Sequence, residues 1–232
     1  MNRFMRFLSY FCIGLIVVAF LTWTWLRNTS ATAADFQSFK RGDVIFQTST
    51  SSQSLAILLA SSSRFSHMGI VDVDEEGQQL VLEATSTTRA TPLREWVDRG
   101  AGARIAVYRF PELTEVDAKS IISAGRMHFG KAYDLFFHAS EDQLYCSEFV
   151  HLAFKAGASI ELGQFQKIGS LHLDNFAARR VIKSRWERHP ACANGQAKDF
   201  ESCFALLQDQ DLITPHSIAN DNELQLIYSN YP

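Results

Sequence analysis

Apolar positions divide the chain into three stretches. The first is a continuous apolar run from Phe7 to Leu26, with no charge until Arg27. The second comes in short bursts bounded by turn formers. Gly42-Asp43 opens Val44-Ile45-Phe46, His67 to Val73 and Leu80 to Ala84 each read as a strand, and Ala103 to Tyr108 reads as a further one. Glu75-Glu76-Gly77 supplies the turn of a hairpin between the second and third strands. The third stretch has helical spacing, from about Glu115 to Phe129, ended by Gly130 in a C-cap position, and again from Cys146 to near Gly157.

The remaining segments are shorter. Thr48 to Ser52 can cap a helix from about Gln53 to Ala60, and Ser61 to Ser66 is a loop. Asn28 to Phe39 is small and polar and reads as a linker. Beyond Gly163, Leu173 to Ile182 and, after Thr214-Pro215, Ser217 to Tyr228 read as helices. Strands first and helices later predict an α+β class, an antiparallel sheet packed against helices, in one domain over residues 34–232.

The leading apolar run changes the setting. About 20 apolar residues in a helix can cross a bilayer core of roughly 30 Å. Arg3 and Arg6 before the run, and Trp23 and Trp25 at its far end, suit an anchor with its N-terminus inside. Ala31-Thr32-Ala33 also reads as a signal-peptidase site releasing a domain near Ala34, although the run exceeds the roughly 7–15 residues of a usual signal core. Residues 1–33 are thus a signal peptide or a single membrane-spanning anchor. Either way the rest is exported, to the periplasm or to the periplasmic face of a membrane. The net charge of -3, without a basic stripe, leaves no footprint for nucleic acid.

Export bears on the four cysteines. Cys12 lies in the apolar run. Cys192 and Cys203 lie close together in a polar stretch and are disulfide candidates in an oxidising compartment. A metal site with nearby His189 is the competing use, but no Cys-x-x-Cys spacing supports it. That leaves Cys146 as the odd thiol.

Cys146 shares a helical face with Phe149, Val150, Ala153, Phe154 and Gly157, so the helix alone favours a buried core cysteine over a nucleophile. Its place at the first turn favours chemistry. Free backbone N–H groups and the positive end of the helix dipole stabilise a thiolate and can hold an oxyanion. Among seven histidines, His67 opens an apolar strand beside Gly69, a rigid place for an imidazole. Glu83 sits inside the apolar strand Leu80 to Ala84, where a carboxylate needs a partner. Across the predicted hairpin it can orient His67, or else it faces solvent from an edge strand.

Five motifs in order carry a resemblance. Gly42-Asp43-Val44-Ile45-Phe46-Gln47-Thr48-Ser49, Ser66-His67-Met68-Gly69-Ile70-Val71, Glu83-Ala84, Gly130-Lys131-Ala132-Tyr133-Asp134 and Tyr145-Cys146-Ser147-Glu148 resemble the YiiX/YaeF group of permuted papain-like enzymes, within the NlpC-type cysteine peptidase superfamily. The match runs from about Gly42 to Gly157 and on through Thr214-Pro215 to Tyr228. The resemblance implies a circularly permuted papain-like fold and a triad of Cys146, His67 and Glu83. It gives Tyr145 and Tyr133 supporting or substrate-binding places, with Ser147 beside the nucleophile, and Asp134 a structural one. Covalent acyl transfer to water by such a triad needs no metal or organic cofactor. Relatives in the wider superfamily cleave cell-wall peptides or move acyl groups on lipids. The expected substrate is therefore a small peptide or lipid-derived molecule, met at the membrane if the leader is kept. A lipid-directed acyl hydrolase or acyltransferase, and a non-catalytic binder of wall or lipid fragments, are the competing functions.

Overall fold

The computed structural model describes residues 10–18, 30–138, 140, 142–193 and 195–232. The first five strands are β1 (Val44–Ser49), β2 (His67–Val73), β3 (Gln79–Ala84), β4 (Thr88–Pro92) and β5 (Gly100–Arg109). Short β6 (Ala132–Tyr133) pairs with β7 (Gln143–Leu144), and β8 (Gln166–Lys167) with β9 (Asp211–Leu212). With β10 (Gln225–Ser229), the first five form one antiparallel sheet in the order β10-β5-β1-β2-β3-β4. The helices are α1 (Ala33–Phe36), α2 (Ser54–Ser61), α3 (Leu93–Arg99), α4 (Glu115–Arg126), α5 (Cys146–Ala158), α6 (Phe176–Lys183), α7 (Phe200–Leu207) and α8 (Pro215–Ala219).

Both faces of the sheet are covered, which is why its central strands are apolar at nearly every position. Val44, Phe46, Met68, Ile70 and Leu82 enter the larger core with Phe149, Val150 and Phe154 of α5 and Ile121 of α4. The alternate residues Ile45, Val71, Val81, Ile105 and Val107 enter a second core under Trp96 and Val97 of α3, Phe36 and Phe39. Helices α4 and α5 lie so close that a Cβ on Gly157 would stand 2.4 Å from the Ile121 backbone. Truncating a buried ring such as Phe149 to alanine would cost about 3–5 kcal/mol.

Three expectations need correction. The presumed linker contains α1, where the Thr32 N–H and hydroxyl both donate to Asp35 at 2.7 Å and Phe36 and Phe39 are buried. Helix α4 stops at Arg126, short of Phe129, because the chain turns to pair with residue 88. There Gly130 N–H donates to Thr88 O, with Gly130 at a positive φ of 87°. The segment from Ser217 to Tyr228 is not one helix: α8 ends at Ala219 and β10 covers the edge of β5. Strand β4 and helix α3 add to the expected elements. The leader falls largely outside the described residues. Residues 10–18 are helical and exposed, and among the described residues no helix is long and apolar enough to cross a membrane.

Candidate active site

Cys146 is the first residue of α5, after Tyr145 in extended conformation. The buried stripe of Phe149, Val150, Ala153 and Phe154 fixes the rotation of the helix, so the Cys146 thiol points inward. His67 begins β2. Ile70 pairs with Leu82, which sets Gly69 opposite Glu83 and His67 diagonal to it. Gly69 keeps this crossing clear, since a Cβ there would lie 2.5 Å from Val81 Cγ1 and 2.6 Å from Leu82 O.

His67 Nε2 lies 2.6 Å from Glu83 Oε2, and its ring stacks on Trp96 with centroids 5.8 Å apart. His67 keeps 12% of its side chain exposed, Glu83 none. Glu83 accepts three further hydrogen bonds. Thr91 Oγ1 and Arg99 Nη2 each donate to Oε1 at 2.6 Å, and Trp96 Nε1 donates to Oε2 at 2.9 Å. Both oxygens are thus doubly engaged. With Nε2 committed to Glu83, the other ring nitrogen, Nδ1, is left for the hydrogen bond to Cys146.

These contacts set the charges. Burial works against a charged His67, but the hydrogen bonds to Cys146 and Glu83 outweigh it and hold the imidazole up at about 9. Burial likewise works against a charged Glu83, but His67, Thr91 and Arg99 together hold it down at about 2. At neutral pH the pair is imidazolium and carboxylate.

Tyr133 also hydrogen-bonds Cys146, and burial, with the charge of that neighbour, pushes its phenol up, so it stays a donor. Behind it, Gln53 Nε2 donates to the Tyr133 hydroxyl at 3.3 Å, and Arg185 Nη1 donates to Gln53 Oε1 at 3.0 Å. Tyr145 and Ser147 instead secure the start of α5. Ile213 N–H donates to the Tyr145 hydroxyl at 3.1 Å, and Ser147 Oγ donates to Ile213 O at 2.8 Å. Asp134 holds the next turn by accepting the N–H groups of Phe136 and His138.

The structure therefore brings Cys146, His67, Glu83 and Tyr133 together, with Tyr145 and Ser147 one layer back. Sequence reasoning missed Thr91, Trp96, Arg99, Gln53 and Arg185. The spacing of Leu93, Trp96 and Val97 was a helical signal, and an indole N–H on its buried face needs an acceptor. Nothing local marks Gln53 or Arg185, which meet across 132 positions.

Cys192 and Cys203 form a disulfide that ties α7 to the segment before it, in an apolar cluster separate from that of Cys146. Bonded to each other, they offer no thiolate to a metal. Among the described residues no group of three or more His, Cys, Asp or Glu is placed to hold a metal ion.

Two cavities meet at the site. One, of about 130 Å³, has mostly apolar walls and includes Cys146. The other, of about 390 Å³, is rich in hydroxyls and includes His67 and Arg99.

Comparison with known proteins places this geometry in context. Residues 38–228 match the family described as permuted papain-like amidase enzyme, YaeF/YiiX, C92 family. The uncharacterized protein YiiX of Escherichia coli strain K12 is 31% identical over 149 residues, 64% of this chain and 73% of that protein. The crystal structure of the metalloprotein YiiX from Escherichia coli O157:H7 superposes with a TM-score of 0.73 at 26% identity, covering 83% of this chain and 98% of the other.

Proposed function

The chain belongs to the permuted papain-like amidase family, a family of cysteine hydrolase type, and from that premise we propose that it hydrolyses an amide by acyl transfer through Cys146, His67 and Glu83. The observation that carries this reading is the imidazole of His67 held between a fully buried, fourfold-bonded carboxylate and the only buried free thiol among the described residues.

The steps follow from the atoms present. The reacting sulfur is the thiolate form of Cys146, hydrogen-bonded to the imidazolium of His67. The thiolate attacks the carbonyl carbon, forming a C–S bond, while the carbonyl oxygen takes the negative charge. The first N–H groups of α5 and the Tyr133 hydroxyl are the donors for that charge. His67 then gives its proton to the leaving nitrogen as the C–N bond breaks, and a thioester remains. Water, deprotonated by the now neutral His67, cleaves the thioester to a carboxylic acid and restores the thiol. Glu83 fixes the tautomer throughout and stabilises the imidazolium.

An exported setting is part of the proposal. The Cys192–Cys203 disulfide suits an oxidising compartment, and the apolar run ahead of Ala34 suits a secretory signal or an anchor.

Iodoacetamide tests the reactive pair. Cys146 is expected to label faster at pH 7 than a free thiol, with His67→Ala slowing it at least tenfold. Equal labelling of the two proteins would remove the dyad.

A further inference from the structure

A second line of hydrogen bonds reaches Cys146, separate from the His67–Glu83 pair. Tyr133 bonds the sulfur, Gln53 Nε2 donates to the Tyr133 hydroxyl at 3.3 Å, and Arg185 Nη1 donates to Gln53 Oε1 at 3.0 Å. We propose that Arg185 is a positioning residue for the reaction: through Gln53 it obliges Tyr133 to give its hydroxyl proton to Cys146 and, later, to the oxyanion. This rests on the reading of Cys146 as nucleophile and adds a residue that acts on it from two side chains away.

The direction of the line is set at its far end. A guanidinium has donors and no acceptor. It can therefore face only the oxygen of the Gln53 amide, which turns Nε2 toward Tyr133. The two ends of an amide are nearly equal in shape, so packing alone would not choose between them. A phenol has one proton to give and can accept on its oxygen. With the Gln53 N–H as the incoming donor, the Tyr133 proton is left for the sulfur. Without Arg185 the amide is free to turn over. Its oxygen would then face the phenol and compete with Cys146 for the same proton.

The three groups are held in place from several elements. Gln53 is 9% exposed and stands at the start of α2, where the N–H of Ile57 donates to its carbonyl at 3.1 Å. Tyr133 N–H donates to Ser86 O at 3.2 Å. Arg185 Nη1 also donates to Leu135 O at 2.9 Å, and Arg185 N–H donates to Ile182 O at 3.0 Å. The next residue, Trp186, packs into the apolar cluster of the Cys192–Cys203 disulfide. A mere brace between α2 and the chain after α6 would hold the protein together and leave the sulfur unaffected, and that difference is measurable.

The test is the pH profile of iodoacetamide labelling on the full chain, read at the Cys146 peptide by mass, since Cys12 is also free. The midpoint belongs to the Cys146–His67 pair. A donor to the charged sulfur lowers it, and loss of that donor raises it. Tyr133→Phe is expected to move it up by about one pH unit, the size of one hydrogen bond to a charged group. Arg185→Met should raise it by about half a unit or more, because the released amide then competes for the phenol proton. Arg185→Lys keeps a donor without an acceptor and should stay within about 0.3 unit of wild type. In the Tyr133→Phe background, Arg185→Met should add less than about 0.3 unit, since the line is already cut. Gln53→Glu reverses the line without emptying it: a carboxylate accepts from both neighbours and draws the Tyr133 proton away from the sulfur. Its midpoint should rise at least as far as that of Tyr133→Phe, and it serves if Arg185→Met does not fold. An unchanged midpoint in Arg185→Met or in Gln53→Glu overturns the assignment. So does an Arg185→Met shift that persists in full without the Tyr133 hydroxyl, which would be charge acting through space. If those results are negative while labelling still depends on His67, the role of Arg185 falls and the nucleophile stands. If His67→Ala labels like wild type, both fall.

Discussion

Two buried carboxylates border the site, and their titration is shifted in opposite directions. Glu83, on the face of the sheet under α3, has four donors and is held at about 2. Glu148, in the first turn of α5, has the Tyr145 N–H at a long 3.5 Å, and burial together with nearby Asp134 pushes it up to about 7. Both are almost fully buried. Burial therefore does not decide whether a carboxylate is charged here; the number and closeness of its donors do. The donors of Glu83 come from three elements, β2, β4 and α3, so the fold builds an anion site around it. Glu148 sits where a helix dipole favours an anion, and the missing donors outweigh that preference.

The sharpest way to break this contrast is to remove the better-supported group. Glu83→Ala leaves Arg99 and the imidazolium of His67 facing each other across a void. Breaking a buried pair by deleting one partner costs about 3–5 kcal/mol, and loss of the orienting carboxylate lowers kcat by up to about 10⁴. Urea denaturation and kcat/KM on a cleaved amide measure the two effects. A cost below about 1 kcal/mol would show that the four bonds to Glu83 hold little.

A pH series tests the same group through its partner. His67 is raised from 6.5 to about 9, so its contribution to stability is complete below about 6.5 and is lost as pH climbs through 9. Glu83 is lowered from 4.5 to about 2, so its contribution is present above about 4.5 and is lost as pH falls toward 2. The wild type should lose up to about 3 kcal/mol between pH 6.5 and 9, at 1.36 kcal/mol per pKa step, and His67→Gln should not show that slope. An imidazole NMR titration with a midpoint near 6.5 would contradict the charged pair.

The contrast also marks what could be read from the sequence. The short apolar runs of β1, β2 and β3 and the stripe on α5 were plain, because each element buries a regular set of its own residues. His67, Glu83 and Cys146 followed, since they open or interrupt those same patterns. Trp96 and Arg99 did not, because α3 is short and its value lies in reaching Glu83 across the sheet. The end of α4 and the split between α8 and β10 were missed for a related reason. Pairing with residue 88 and with the edge of β5 overrides local helical spacing. Gln53 and Arg185 meet only in three dimensions, and no local pattern announces them.

The smallest effect comes from the poorly supported carboxylate, and its sign is opposite to that of Glu83. Glu148 is raised from 4.5 to about 7, so its contribution is complete below about 4.5 and is lost as pH rises through 7, when a charge must be held without donors. Glu148→Gln keeps the shape and removes the charge. It should therefore stabilise the protein above pH 7 by about 1–2 kcal/mol, which is the ionisation cost less the weaker interaction of a neutral amide with a helix start. Below pH 4.5 the variant and the wild type should be nearly equal. Thermal denaturation at pH 4.5 and pH 8 checks both statements. A variant that is less stable than wild type at pH 8 would mean that Glu148 has donors enough to hold its charge, and the difference between the two carboxylates would vanish.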